Sequence, residues 1–101
     1  MEILLVRGQV RPGSDDAFNA AAKRYNSARE SAGLPAYRRM GDTTSGGDGQ
    51  LVFMCEFADP AEIERADALL ETEPTLKQAI AEMYEHLVPG SVTATTLRDV
   101  D

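Results

Sequence analysis

In 101 residues the chain has one cysteine, one histidine and no tryptophan. A solitary Cys55 cannot form an internal disulfide, so no disulfide framework holds this fold. It lies inside the most apolar segment of the chain, where its plain reading is a small buried hydrophobe. A lone histidine, His86, rules out the H-x-x-x-H and H-E-x-x-H spacings of histidine metal sites. Basic residues are also scarce: ten Lys and Arg stand against seventeen Asp and Glu, a formal net charge of −7. Nucleic acids and anionic lipid are held by clusters of Lys and Arg, so neither is an expected partner. No apolar run approaches the roughly 20 residues of a membrane span. Nor does the start read as a secretory leader, since Glu2 is followed at once by a short apolar run and then Arg7. The expectation is a cytoplasmic protein of one domain, residues 1–101, without a metal or cofactor.

What is present is a well-patterned α+β chain. Residues 3–10 alternate as a strand and end at Arg11-Pro12-Gly13. Ser14 is placed to cap a helix over about 15–32, with Asp15 and Asp16 in its first turn. Phe18, Ala21, Ala22, Tyr25, Ala28 and Ala32 make its apolar stripe, and Gly33 follows as the C-terminal cap. A weaker strand over 36–41 and a stronger one over 50–58 flank a Gly- and Thr-rich connection, 42–49. Its Gly46-Gly47-Asp48-Gly49 run lacks the Lys-Ser/Thr of a phosphate loop and reads as a hairpin. Asp59-Pro60-Ala61-Glu62 is a helix start with a capping box. Pro74 ends that helix and opens another carrying Leu76, Ile80, Met83 and Leu87. The β-branched segment 92–98 is the final strand.

This order, βαββααβ, predicts a ferredoxin-like α+β fold: a four-stranded antiparallel sheet with helices on one face. The first and third strands are the expected central pair, here taken to run parallel, with Arg7 and Glu56 on equivalent rungs. The third strand is apolar on both faces: Leu51, Phe53, Cys55 and Phe57 point to one side, Val52 and Met54 to the other. A strand covered on one side only should alternate with polar residues. Ile3, Leu5, Val52 and Met54 would therefore form an apolar patch on the helix-free face. A second copy of the chain is the partner expected to cover it, giving a sheet-to-sheet homodimer.

The element order, the segment Phe57-Ala58-Asp59-Pro60-Ala61-Glu62, the later Glu73-Pro74-Thr75-Leu76, and a helix ending Leu87-Val88-Pro89 resemble the dimeric α+β barrel superfamily. They are similar to its antibiotic-biosynthesis-monooxygenase-type domains. The resemblance covers nearly the whole chain and implies fold and dimerisation. It also brings a range of activities, from cofactor-free oxygenases, cyclases and isomerases to haem-binding proteins and domains without assigned chemistry.

Candidate chemistry is thinly spread. Arg7, Glu56 and one of Arg38 or Arg39 could form an anion-binding or enolising pocket, with the arginine as oxyanion partner and Glu56 as base. The plain alternative is salt bridging at the sheet. Five of the ten basic residues, Arg7, Arg11, Arg38, Arg39 and Arg98, lie on or beside strands, while residues 59–85 carry eight acids and two bases. His86 near the end of the last helix suits the helix dipole and is a weak acid/base candidate. It would also be the one obvious axial donor if haem were bound. Tyr25, Tyr37 and Tyr84 could offer phenolic hydrogen bonds to a small organic ligand, for which Arg39 is a further candidate. Tyr25 also lies on the stripe that packs against the sheet. The expected function is a homodimer binding a small organic molecule. The alternative is a cofactor-free monooxygenase or cyclase/isomerase acting on an aromatic or polyketide-like substrate, with an ACT-like regulatory module a distant third.

Overall fold

The structure, a computed structural model, describes residues 1–40 and 50–100. The expected hairpin connection at 42–49, with its glycine run, lies outside the described residues. The elements follow the predicted order: β1 (Glu2–Gln9), α1 (Asp15–Ser31), β2 (Arg38–Met40), β3 (Gln50–Phe57), α2 (Pro60–Thr72), α3 (Pro74–Tyr84) and β4 (Thr93–Arg98). The four strands form one sheet in the order β2-β3-β1-β4, with every neighbouring pair antiparallel.

That arrangement corrects the direction expected for the central pair. β1 and β3 are neighbours but run antiparallel, Leu5 facing Met54 and Arg7 facing Val52. The reason is topological. The crossover through α1 makes β2 parallel to β1, and a hairpin return then reverses β3. Arg7 and Glu56 consequently leave the shared rung: Glu56 faces Ile3, four residues along β1 from Arg7. At 3.3–3.4 Å per residue the two rungs are roughly 13 Å apart.

Local chemistry sets the helix boundaries. Asp59 Oδ1 accepts the Glu62 N–H at 2.9 Å at the start of α2, while Glu62 Oε1 reaches back to the Ala58 N–H at 3.4 Å. Ser14 precedes α1 as expected, but its side chain makes no capping bond. At the other end of α1, Gly33 sits at φ +76°. The Gly33 N–H reaches the Glu30 carbonyl and the Leu34 N–H the Arg29 carbonyl. This paired pattern needs a left-handed residue, which glycine supplies without Cβ strain. α3 stops at Tyr84, earlier than the apolar stripe suggests. Leu87 is still buried, but through a β-bridge to Val10 rather than from the helix.

The core lies between the sheet and the helices. Phe18, Ala21 and Tyr25 of α1, and Leu76, Ala79 and Met83 of α3, close over Leu51, Phe53, Cys55 and Phe57 of β3. Phe18 stacks on Phe53 with ring centres 5.8 Å apart. Helical cover stops short of the β4 edge. Every residue of β4 is exposed, and Leu4 and Val6 of β1 are only partly buried although they face the helices. On the opposite face Ile3, Leu5 and Met54 remain partly exposed, with Leu97 and Met40 open beside them. Val52 is covered there, between Arg7 and Met40 on the flanking strands. No helix among the described residues is long and apolar enough to cross a membrane.

Candidate functional site: a tyrosine-walled cleft

Between the helix side of the sheet and helices α1 and α3 runs a narrow cleft lined by Val6, Leu51, Phe53, Ile80, Met83 and Leu87, together with Tyr25, Tyr37 and Tyr84. The three phenols come from α1, the segment before β2, and the last residue of α3, so only the folded chain brings them together. The cleft is nearly closed, with a volume of about 20 Å³. That is about one water's worth. Tyr84, 44% exposed, stands between it and an outer groove bordered by Arg11, Leu87, Val88 and Val92. A ring-sized guest enters only if a wall such as Tyr84 swings aside.

The polar side of this region depends on a residue that the sequence pattern did not single out. Arg29 is 1% exposed. Its Nε donates to the Pro35 carbonyl at 2.8 Å, one terminal nitrogen to the Tyr25 hydroxyl at 3.1 Å, and the other to Cys55 Sγ at 3.5 Å. The guanidinium lies over the Tyr37 ring at 4.5 Å and near the Tyr25 ring at 5.5 Å. Among the described residues it has no carboxylate partner, so neutral acceptors and aromatic faces hold the charge. Asn26 fixes Tyr37 from below, its amide and carbonyl bonding the Tyr37 backbone carbonyl and N–H at 3.0 and 2.9 Å.

Burial raises the pKa of all three phenols above the ordinary range, Tyr37 most. For Tyr25 and Tyr37 the Arg29 charge pulls the other way without overcoming the loss of water. The Cys55 thiol is also raised, by burial first, against the pull of Arg29. It donates to the Pro35 carbonyl at 3.6 Å and is a protonated core group rather than a nucleophile.

The other sequence candidates lie elsewhere. Arg7 is on the open face, across from Val52 and Thr93. Glu56 is on that face too and shares a shallow depression with Arg38, Pro35, Ala36 and Met54. Arg38 pairs in register with Met54, and Arg39 with Phe53. Arg39 is therefore the one on the helix side, bonding Asn19 and lying over the Phe18 ring, outside the cleft. His86 is in the turn after α3, not on it. Its carbonyl accepts the Arg11 N–H at 2.8 Å, and its ring is not part of the cleft wall. A larger open groove outside α1 and α3 includes Arg24, Ser27, Ser31 and Glu73, where Arg24 already pairs with Glu82 at 3.5 Å.

Arg29 was legible in principle. Phe18, Ala21 and Tyr25 advance by three and four residues, and the next step of four falls on Arg29. An arginine at that step reads as solvent-facing beside its alanine neighbours Ala28 and Ala32, because a charged residue is expected outside.

No family model matches the chain, and no curated protein matches it. Solved structures do. A crystal structure of an antibiotic biosynthesis monooxygenase aligns over 100% of both chains at 19% identity, with a TM-score of 0.75. Rv0793 from Mycobacterium tuberculosis aligns over 99% of this chain and 95% of its own at 18% identity, TM-score 0.70. A NIPSNAP family protein from Agrobacterium tumefaciens aligns over 100% of this chain and 95% of its own at 14% identity, TM-score 0.74. At these identities the likeness concerns architecture: the protein has the α+β fold of antibiotic biosynthesis monooxygenase and NIPSNAP structures, the fold that its sequence pattern implied.

Proposed function

We propose that this protein is a one-domain cytoplasmic homodimer that takes up a small organic molecule in the cleft between the sheet and helices α1 and α3. The observation that carries this reading is the convergence of Tyr25, Tyr37 and Tyr84 on an otherwise apolar wall. Apolar walls with a few placed polar groups are the usual make-up of a small-molecule site. Homodimerisation is supported by the apolar residues left open on the helix-free face.

Fold neighbours have monooxygenase or NIPSNAP names, and the former suggest a cofactor-free oxygenase, cyclase or isomerase as the alternative. The described cleft wall has phenols but no carboxylate and no imidazole, which favours binding over acid–base turnover. A panel of one- and two-ring phenols, quinols and quinones, screened by thermal shift and tyrosine fluorescence, tests the reading. At least one ring compound should raise the melting temperature by several degrees, and Tyr84→Ala should speed its uptake. If the folded dimer gives no response to any of them, the binding reading is wrong. Oxygen consumption that accompanies binding would move the assignment to the oxygenase alternative.

A further inference from the structure

The contacts of Tyr25 say more about the guest than the shape of the cleft does. Arginine has donors only and keeps its charge at any ordinary pH. The bond at 3.1 Å therefore runs from Arg29 to the Tyr25 oxygen and occupies one of its lone pairs. The hydroxyl proton is turned away from the guanidinium. No acceptor among the described residues takes it, although Tyr25 is 2% exposed. The other Arg29 partners, the Pro35 carbonyl and Cys55 Sγ, are neutral. Among the described residues the region thus contains a buried positive charge without a counter-charge and, on the cleft wall beside it, a donor without an acceptor.

We propose that Arg29 is a positioning residue that presents the Tyr25 hydroxyl to the cleft as a donor, so that the molecule bound there brings an acceptor oxygen and binds best as an oxyanion. This rests on the reading of the cleft as a ligand site. An acceptor oxygen completes the chain guest–Tyr25–Arg29, and a negative one supplies the missing counter-charge in a setting with little water to screen it. A phenolate, an enolate or a carboxylate on an apolar ring fits this description. A hydrocarbon or an ether of the same shape does not.

4-Nitrophenol tests this, because its phenolate and phenol absorb at different wavelengths, with 4-nitroanisole as the partner that cannot ionise. Titrated between pH 6 and 8, the wild-type protein should favour the phenolate over the neutral forms by about tenfold or more, the scale of one hydrogen bond to a charged group. In Tyr25→Phe this preference should fall about tenfold while nitroanisole affinity stays within about twofold. Arg29→Gln should do the same. If Arg29→Gln does not fold, Tyr25→Phe alone decides, since it removes one oxygen from a packed ring. The readout is the ratio of charged to neutral binding, which loosened packing alone would not change. Equal binding of phenolate and nitroanisole overturns the inference and leaves the cleft reading intact. So does a phenolate preference that survives in Tyr25→Phe, because the anion is then held elsewhere, as at Arg11. Failure of both probes to bind overturns the cleft reading and this inference with it.

Discussion

Arg29 takes a full charge into the core and is held there by a carbonyl, a phenol and a thiol. Around it the acidic groups are kept protonated by lack of water, and this has a pH consequence at the level of single residues. The folded chain holds the Cys55 proton above its ordinary 9.0, whereas the unfolded chain releases it there. Stability is therefore intact below about pH 9 and falls as pH rises past that value, by up to about 1.4 kcal/mol per pH unit until the folded thiol also ionises. Tyr25 and Tyr37 add a fall of the same sign above their ordinary 10.0. Urea unfolding at pH 8, 9.5 and 10.5 should show this decline. Cys55→Ser should flatten the part between 9 and 10, and a slope unchanged in that variant would show that the thiol does not carry it. At this scale the sequence was half legible. Three tyrosines could be named as phenol donors, and Tyr25 and Tyr84 as candidates, but sequence alone does not reveal that Tyr25, Tyr37 and Tyr84 line one cleft. The Arg7–Glu56 pairing rested on strand direction, and the antiparallel register separates the two.

Among the elements, those with strong local signals form where the sequence predicts them. α2 is the clearest. Proline is its first residue, and the Asp59 carboxylate takes the Glu62 N–H. Asp59→Ala should lower stability by about 1 kcal/mol, with Asp59→Asn or Asp59→Ser recovering most of it. Denaturant unfolding checks this, and loss in all three variants alike would mean the carboxylate acts by charge rather than as a cap. Boundaries are less legible where tertiary contacts override the pattern. The apolar stripe at 76, 80, 83 and 87 reads as one helix, yet α3 ends at Tyr84 because the Val88 N–H bonds the Gln9 carbonyl and Leu87 bridges to Val10. That early stop puts Tyr84 at the mouth of the cleft and His86 in a turn. Among the described residues β2 covers Arg38–Met40, and its alternation sends Arg38 and Arg39 to opposite faces. The sequence could not choose between these arginines, because the choice depends on register with β3.

Taken as a whole, the molecule is lopsided. Its helices bury one side of β1 and β3, while β4 stays exposed along its length and the far face keeps Ile3, Leu5 and Met54 partly open. The rows across that face are Glu56–Ile3–Leu97, Arg38–Met54–Leu5–Thr95 and Met40–Val52–Arg7–Thr93. Ile3, Leu5, Val52 and Met54 fill the middle of β1 and β3, Glu56 and Arg38 stand at row ends, and Arg7 lies inside the third row, an apolar centre with charge around it that suits an isologous interface. Val52 is already covered within one chain, so it adds little on association. Covering what remains of Ile3, Leu5, Met54, Leu97 and Met40 is worth on the order of 5 kcal/mol per subunit by area bookkeeping, before the cost of association. Light scattering should therefore report twice the 10.9 kDa chain mass at micromolar concentration. Leu5→Glu lies at the centre of the rows and faces away from the core. It should shift the protein to monomers while leaving the helical circular dichroism in place, because a buried carboxylate meets its own symmetry mate across the interface. A wild-type chain that stays monomeric at those concentrations would refute the face-to-face assembly. A dimer that persists in Leu5→Glu would move the interface to the open edge of β4, where Thr93–Arg98 has no neighbouring strand on its outer side among the described residues.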